Sequence, residues 1–410
     1  MQSTIFHIDV NSAFLSWEAA YRINILGEST DLRNIPSIVG GDKEKRHGIV
    51  LAKSMPAKKY NISTGEPIVS ALRKCPNLVI VPPNFALYLA ASREFIGYLK
   101  KYAVEIWQYS IDEAFCDFSG TEKIYGSPLT FAHQLQQEIY EELGFTVNIG
   151  VSSNKLLAKM ASEMKKPNQV ISLYPEEVPL KMWPLPVSEL FYVGRKTQVT
   201  LKKLGIETIG ELAHMDLAIL KSHFKSHGET IYRYANGEDL EFDLNREILN
   251  KGYGNATTLA KDVTDLAEAK LIFLSLCETV ATRVRLDHSF IQVVAISIVY
   301  SDFTHQRKQT TLPSPLNTTM EIHEYACKLF DSLWNHKPIR QLGVSTSRAT
   351  KTKNHQYNIF DMNRSEQLEK ADAAIDKIRK TYGKDSVMRA SFLNQSKQHM
   401  IGNFDTSLYK

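Results

Sequence analysis

Two neighbouring carboxylates, Asp112 and Glu113, interrupt an apolar, β-rich run, with Ile106-Trp107-Gln108-Tyr109 before them and Ala114-Phe115-Cys116-Asp117-Phe118 after. Successive side chains of a strand point to opposite faces, so this pair cannot share one layer beside a sheet. A buried carboxylate is costly unless a cation or a strong donor meets it. The chain can satisfy the stretch in two ways. It can place both acids in a solvated hairpin tip, or it can bring them beside further acids around bound cations.

A third acid supports the second way. Asp9 closes an apolar strand in Phe6-His7-Ile8-Asp9, just before Ser12-Ala13-Phe14 open a helical pattern. It reads either as a cap for that helix or as a neighbour of Asp112 and Glu113 on an adjacent strand. Three converging carboxylates repel strongly without cations. With two Mg²⁺ ions about 3.5–4 Å apart they form a two-metal site for phosphoryl transfer.

The surrounding pattern is α/β. Thr4–Asp9, residues 37–39, 49–52 and 78–81, Ile106–Ser110, Ala114–Phe118 and Thr146–Val151 read as strands, alternating with helical stretches at 12–25, 57–60, 69–74, 85–102, 129–143 and 155–163. Pro167, Pro175, Pro179, Pro184 and Pro186 then mark a boundary. Short helices follow from Val187 to Gly237. A second, α+β unit from Leu259 to Thr346 has strand–helix–strand–strand–helix–strand order, and beyond Arg348 the tail is polar with one helical stretch around 368–382. At 410 residues the chain has length for two to four domains.

Composition excludes several classes. No apolar run approaches the roughly 20 residues of a membrane span, and Met1-Gln2-Ser3-Thr4 lacks the charged and apolar regions of a signal peptide, so a cytoplasmic location is expected. Cys75, Cys116, Cys277 and Cys327 are scattered and read as free thiols. Net charge is only +4, yet ten Lys/Arg stand against five Asp/Glu between Arg283 and Lys353. Such a tract suits a polyanion or a solvated face.

Further motifs make a resemblance specific: Asn148-Ile149-Gly150-Val151-Ser152-Ser153-Asn154-Lys155 running into Ala158-Lys159-Met160-Ala161-Ser162, then Lys165-Lys166-Pro167-Asn168, Gly194-Arg195-Lys196-Thr197 and Leu201-Lys202-Lys203-Leu204-Gly205-Ile206. With the acidic motifs, and in this order, they resemble the Y-family, DinB/UmuC-like translesion DNA polymerases over residues 4 to 360. The resemblance implies an α/β and α+β multidomain, right-hand polymerase fold. Its parts would be a palm (1–25 and 76–174), small fingers (26–75), a helical thumb with a helix-hairpin-helix (175–240), a βαββαβ-like little finger (241–350) and a tail (351–410).

It also implies roles. Asp9, Asp112 and Glu113 would be the catalytic carboxylates and, with the Val10 carbonyl, hold two Mg²⁺ ions that Mn²⁺ can replace. Phe14 would be the steric gate against a 2′-hydroxyl, although its helical spacing also suits a core-facing ring. Ser12, Ala13, Lys58 and Lys166 would join Phe14 around the nucleotide. Met55 and Lys58 depart from the Tyr and Arg the family usually offers there, and Lys58 lacks the bidentate fork of Arg. Gly194, Arg195 and Lys196 would grip DNA backbone, with Tyr192 where the family has a second glycine. Arg283, Arg285, Arg307 and Lys308 would contact phosphates of the primer–template duplex. Gln356, Ile359 and Phe360 match a sliding-clamp peptide. The implied activity is error-prone, template-directed addition of dNTPs by a monomer in damage tolerance, without a proofreading exonuclease and near the nucleoid. A non-catalytic DNA- or clamp-binding relative and a nucleotide cyclase are the competing readings; the three acids oppose the first and the basic C-terminal unit the second.

Overall fold

The computed structural model describes residues 3–41, 48–239, 250–352, 362–393 and 399–400. The chain divides into two compact units, one of residues 1–41 and 48–246 and the other of residues 247–410 together with 42–47. The expected clamp peptide, Gln356 to Phe360, lies outside the described residues.

The first unit runs β1 (Ile5–Val10), α1 (Ala13–Asn24), β2 (Ser37–Gly40), β3 (Val50–Lys53), α2 (Met55–Lys59), α3 (Ile68–Lys74), β4 (Val79–Val81), α4 (Phe85–Leu99), β5 (Glu105–Gln108), β6 (Glu113–Asp117), α5 (Glu122–Tyr125), α6 (Pro128–Leu143), β7 (Val147–Ser152), α7 (Lys155–Met164) and β8 (Val170–Ser172). Four short helices complete it: α8 (Arg195–Lys203), α9 (Ile209–Ala213), α10 (Leu217–Phe224) and α11 (Ser226–Ala235). Its main sheet has the order β5-β6-β1-β7-β8, and β1 sits at the centre, antiparallel to both neighbours.

All six residues of β1 are buried. The strand's period of two divides them. Phe6, Ile8 and Val10 enter the main core with Trp17, Phe95, Leu135 and Ile139, while His7 reaches Ser162 on α7. That second layer lies very close. At Gly150 on β7 an added Cβ would stand 1.9 Å from the Ala158 carbonyl oxygen, so only glycine lets α7 rest there. Asn154 caps α7 by accepting from the Leu157 N–H, which fixes where the helix starts.

A smaller sheet, β3-β2-β4, surrounds a core of Ile38, Val50, Ile62 and Ile68. β4 pairs parallel to β2, so this sheet draws on residues beyond 75. The helices α8 to α11 build a core around Leu201, Leu212, Leu220 and Ile231 that they share with Leu157 and Met160 of α7.

The second unit is β9 (Gly254–Val263), α12 (Leu266–Leu286), β10 (Ile291–Tyr300), β11 (His305–Leu316), α13 (Thr319–Leu333), β12 (Ile339–Ser347) and α14 (Met362–Tyr382). The strands form an antiparallel sheet of order β11-β10-β12-β9, matching the βαββαβ expectation. α14 begins six residues earlier than the spacing of apolar residues suggested. It and the segment after it are held by ion pairs with α12: Arg285 meets Asp372 at 3.0 Å and Asp376 at 2.5 Å, and Glu278 accepts from Arg379 at 2.7 Å and, beyond the helix, from Arg389. Glu278 is only 1% exposed, and burial acting to raise its carboxyl is outweighed by the two arginines, which hold it below the usual carboxylate range. The described part of the tail therefore packs as part of this unit.

Candidate active site

Asp9 lies directly opposite Glu113 in the antiparallel β1–β6 register. Paired residues of such a ladder share a face, so both acids project toward the α7 side. Asp112 sits just before β6, in the turn from β5. The hairpin-tip reading therefore describes where Asp112 is, and the strand reading describes Glu113. The Val10 N–H donates to the Asp112 carbonyl at 3.0 Å, tying the tip to the end of β1. Ser110 Oγ donates to Asp112 Oδ1 at 2.6 Å. Asp9 belongs to the strand; the residue at the start of α1 is Ser12, with φ 49° and no side-chain cap.

Cations stand beside two of the acids. Lys166 Nζ donates to Asp9 Oδ2 at 2.5 Å and to Glu163 Oε1 at 2.9 Å. Lys159 Nζ, on α7, donates to Glu113 Oε2 at 2.5 Å. His7 Nε2 lies 3.0 Å from the same oxygen, and its Nδ1 lies 2.7 Å from Ser162 Oγ. Burial pushes the Asp9 carboxyl up to about 6 against the pull of Lys166, and the charges of Glu163 and Asp112 push it the same way. Burial also acts to raise Glu113, but hydrogen bonds from His7 and Lys159 and the charge of Lys159 hold it at about 2. Burial lowers His7 to about 4, so its ring is neutral.

Whether these residues suit divalent cations follows from their chemistry. Among the described residues no three Asp, Glu, His or Cys side chains already surround one point; lysine ammonium groups hold Asp9 and Glu113 instead. The donors are nonetheless all hard oxygens, the kind Mg²⁺ takes. The charge of Asp112 reaches Asp9 and raises its carboxyl, the repulsion that a cation between them would relieve. The set fits a divalent ion.

Phe14, on α1, is partly exposed. Its ring stacks on Tyr88 at 4.7 Å and 12°, and meets Phe85 edge-on at 6.0 Å. Tyr88 is fixed in turn by donating to Glu18 Oε2 at 3.2 Å, while Arg22 donates to Glu18 Oε1 at 2.9 Å. Ala13 is buried and Ser12 exposed beside it, and Lys58 is exposed on α2.

The expected DNA contacts separate. Gly194 immediately precedes α8, and Arg195 and Lys196 are exposed in its first turn. Tyr192 there adopts φ 75°, the left-handed region that glycine reaches without strain, so the substituted turn keeps a glycine-like backbone. On β11, Arg307 and Lys308 point to opposite faces: Arg307 donates to Ser345 Oγ at 3.4 Å, whereas Lys308 donates to Ser332 Oγ on α13 at 2.9 Å. Arg283 is half-buried and donates to the Gly254 carbonyl. Arg285 departs from expectation: its side chain is only 11% exposed and is committed to Asp372 and Asp376, so it presents no free guanidinium to a phosphate.

His7, Lys159 and Ser162 escaped the sequence reading. A period-two signal was present for His7, which shares the face of Asp9 two residues on. Nothing in the sequence marked Lys159 as the partner of an acid 46 residues away.

Comparisons with known proteins agree with this arrangement. Residues 8–163 match the family model described as the impB/mucB/samB family, residues 250–359 match that family's C-terminal domain, and residues 175–206 match its HHH motif. A DNA polymerase IV of Clostridium acetobutylicum is 44% identical over 401 residues, covering 97% of this chain and 100% of the relative. DNA polymerase IV 1 of Bacillus subtilis is 35% identical over 402 residues, covering 97% of this chain and 95% of its own length. A solved Y-family DNA polymerase chimera shares the fold, with a TM-score of 0.71 at 22% identity, over 85% of this chain and 100% of the other. Among the described residues no helix is long and apolar enough to cross a membrane. With family models over most of its length and a full-length relative at 44% identity, the chain belongs to the impB/mucB/samB family, the Y-family DNA polymerases of DinB type.

Proposed function

We propose that the chain extends a DNA primer on a template, one dNTP at a time, and does so across damaged positions. The observation that carries this reading is the β1–β6 register, which sets Asp9 opposite Glu113 with Asp112 at the adjoining tip. The primer 3′-oxygen would attack the α-phosphorus of the dNTP, forming one P–O bond as the bond to pyrophosphate breaks.

Asp9, Asp112, Glu113 and the Val10 carbonyl would hold two Mg²⁺ ions, with Mn²⁺ as a substitute. Bound there, such ions lower the pKa of an attacking hydroxyl and stabilise a leaving pyrophosphate. Lys166 would turn from Asp9 to the triphosphate as a point charge, with Lys58 as a second cation and the turn at Ser12 and Ala13 beside it. Phe14, braced by Tyr88, would lie beneath the sugar and exclude a 2′-hydroxyl. The α8 turn at Gly194, Arg195 and Lys196 and the β11 residue Arg307 would hold DNA through phosphates, without reading sequence.

In this reading residues 1–25 and 76–174 act as palm, 26–75 as fingers, 175–240 as thumb, 241–350 as little finger, and 351–410 as a tail carrying a clamp peptide at Gln356, Ile359 and Phe360. The protein would act as a monomer in the cytoplasm near the nucleoid, without proofreading. Primer extension on undamaged and abasic templates with the purified chain tests the proposal. Extension past the abasic site supports it; binding of primer–template without any extension would leave only the non-catalytic reading.

A further inference from the structure

His7 is fully buried yet polar at both ring nitrogens. It stands on β1 two residues before Asp9 and reaches across to Glu113, while its other nitrogen meets Ser162 on α7. Its ring lies 4.6 Å from that of Phe115, its cross-strand partner. A solely packed core residue at this position would need neither nitrogen.

We infer that His7 is a positioning residue that fixes the orientation of the Glu113 carboxylate and so sets how the site takes divalent cations. The inference rests on the reading of Asp9, Asp112 and Glu113 as cation ligands. Glu113 Oε2 is occupied twice, by His7 Nε2 at 3.0 Å and by Lys159 Nζ at 2.5 Å. Among the described residues no hydrogen bond reaches Oε1, so this pinning leaves one oxygen for a ligand. Lys159, packed against Tyr109 and Phe191, adds a point charge whose rotatable donors set no single direction for the carboxylate. An imidazole held at both nitrogens has one orientation.

A carboxylate oxygen only accepts, so the His7 Nε2 that faces Glu113 carries a proton. Nδ1 meets the Ser162 hydroxyl, which also lies 2.8 Å from the Lys159 carbonyl. The relay runs from Ser162 through His7 to Glu113. It has the form of the outer partners that orient ligands in other metal sites, whose loss weakens binding or activity about 10- to 100-fold.

The test uses the full chain with a dideoxy-terminated primer–template, an incoming dNTP and Mn²⁺ as the probe, its free concentration read by electron paramagnetic resonance. His7→Phe keeps an aromatic ring against Phe115 and removes both polar atoms; Mn²⁺ binding should weaken about 10- to 100-fold. His7→Gln restores a donor and should recover most of it. Asp112→Asn is the control and should abolish tight Mn²⁺ binding. If Asp112→Asn abolishes binding while His7→Phe matches the parent, the inference falls and the reading of the site stands. If Asp112→Asn has no effect, that reading falls too. Equal weakening in His7→Phe and His7→Gln would show that restoring a donor does not restore binding, and would overturn the inference. Should melting show that His7→Phe has lost its fold, Ser162→Ala decides. It leaves the ring in place, so weakened Mn²⁺ binding supports the relay and unchanged binding refutes it.

Discussion

Replacing Gly150 with alanine tests how tightly the site depends on α7. The added Cβ would meet the Ala158 carbonyl oxygen at 1.9 Å, the Ser162 nitrogen at 2.5 Å and the Ala158 carbonyl carbon at 3.0 Å. All three are backbone atoms of one helix, so no side chain can turn aside. To bring the shortest contact to an ordinary distance of at least 3.4 Å, α7 must withdraw by roughly 1.5 Å, since packed interiors have no room to absorb the methyl. α7 carries Lys159 and Ser162, which hold Glu113 and His7. Overpacking of this kind costs about 1–3 kcal/mol, or about 2–12 °C of melting temperature for a unit of this size. A 1 Å displacement near the reacting groups lowers turnover by about 10²-fold. Gly97 supplies the control: it is exposed on α4 with nothing within 4 Å of an added Cβ, and Gly97→Ala should stabilise by up to about 1 kcal/mol. Calorimetry and single-nucleotide insertion measure both variants. A Gly150→Ala protein that melts and inserts like the parent would refute the close approach and the coupling argued from it.

Phe14→Ala should raise ribonucleotide insertion relative to dNTP by about 10- to 200-fold, and unchanged sugar discrimination in competition assays would remove Phe14 from the gate. Glu278→Ala leaves Arg379 and Arg389 without their buried partner and should destabilise the second unit by about 3–5 kcal/mol; urea melts that superimpose on the parent would show that the network does not anchor α14. Arg307→Ala should reduce the slope of log K against log salt for duplex binding by about 1, while Arg285→Ala should lower the melting temperature and leave that slope alone. The opposite pattern would exchange the two assignments.

The strand–helix alternation was legible because its causes are local. β1 shows them well: its apolar residues recur every second position, and Asp9 falls on the face left over. The βαββαβ order of the second unit followed from the same periodicities. Register was not legible, because the pairing of Asp9 with Glu113 joins positions more than a hundred residues apart. The partners of Glu113 were hidden for that reason, Lys159 being an ordinary residue of an amphipathic helix until α7 is laid on the sheet. Arg285 shows a different failure. Its place in a basic tract of the unit that resembles the little finger suggested a phosphate contact, but Asp372 and Asp376 come from a tail helix whose docking no local pattern announced. The separation of Arg307 from Lys308 could have been read in advance, since adjacent residues of a strand face opposite ways.

The most direct test of the central claim is Mg²⁺-dependent primer extension by Asp112→Asn beside the parent, with duplex binding measured on the same preparations. The substitution keeps the size of the side chain and removes its charge. Extension that disappears while binding and melting temperature stay at parental values is the expected result. Extension at the parental rate would contradict the assignment of Asp9, Asp112 and Glu113 as the catalytic carboxylates.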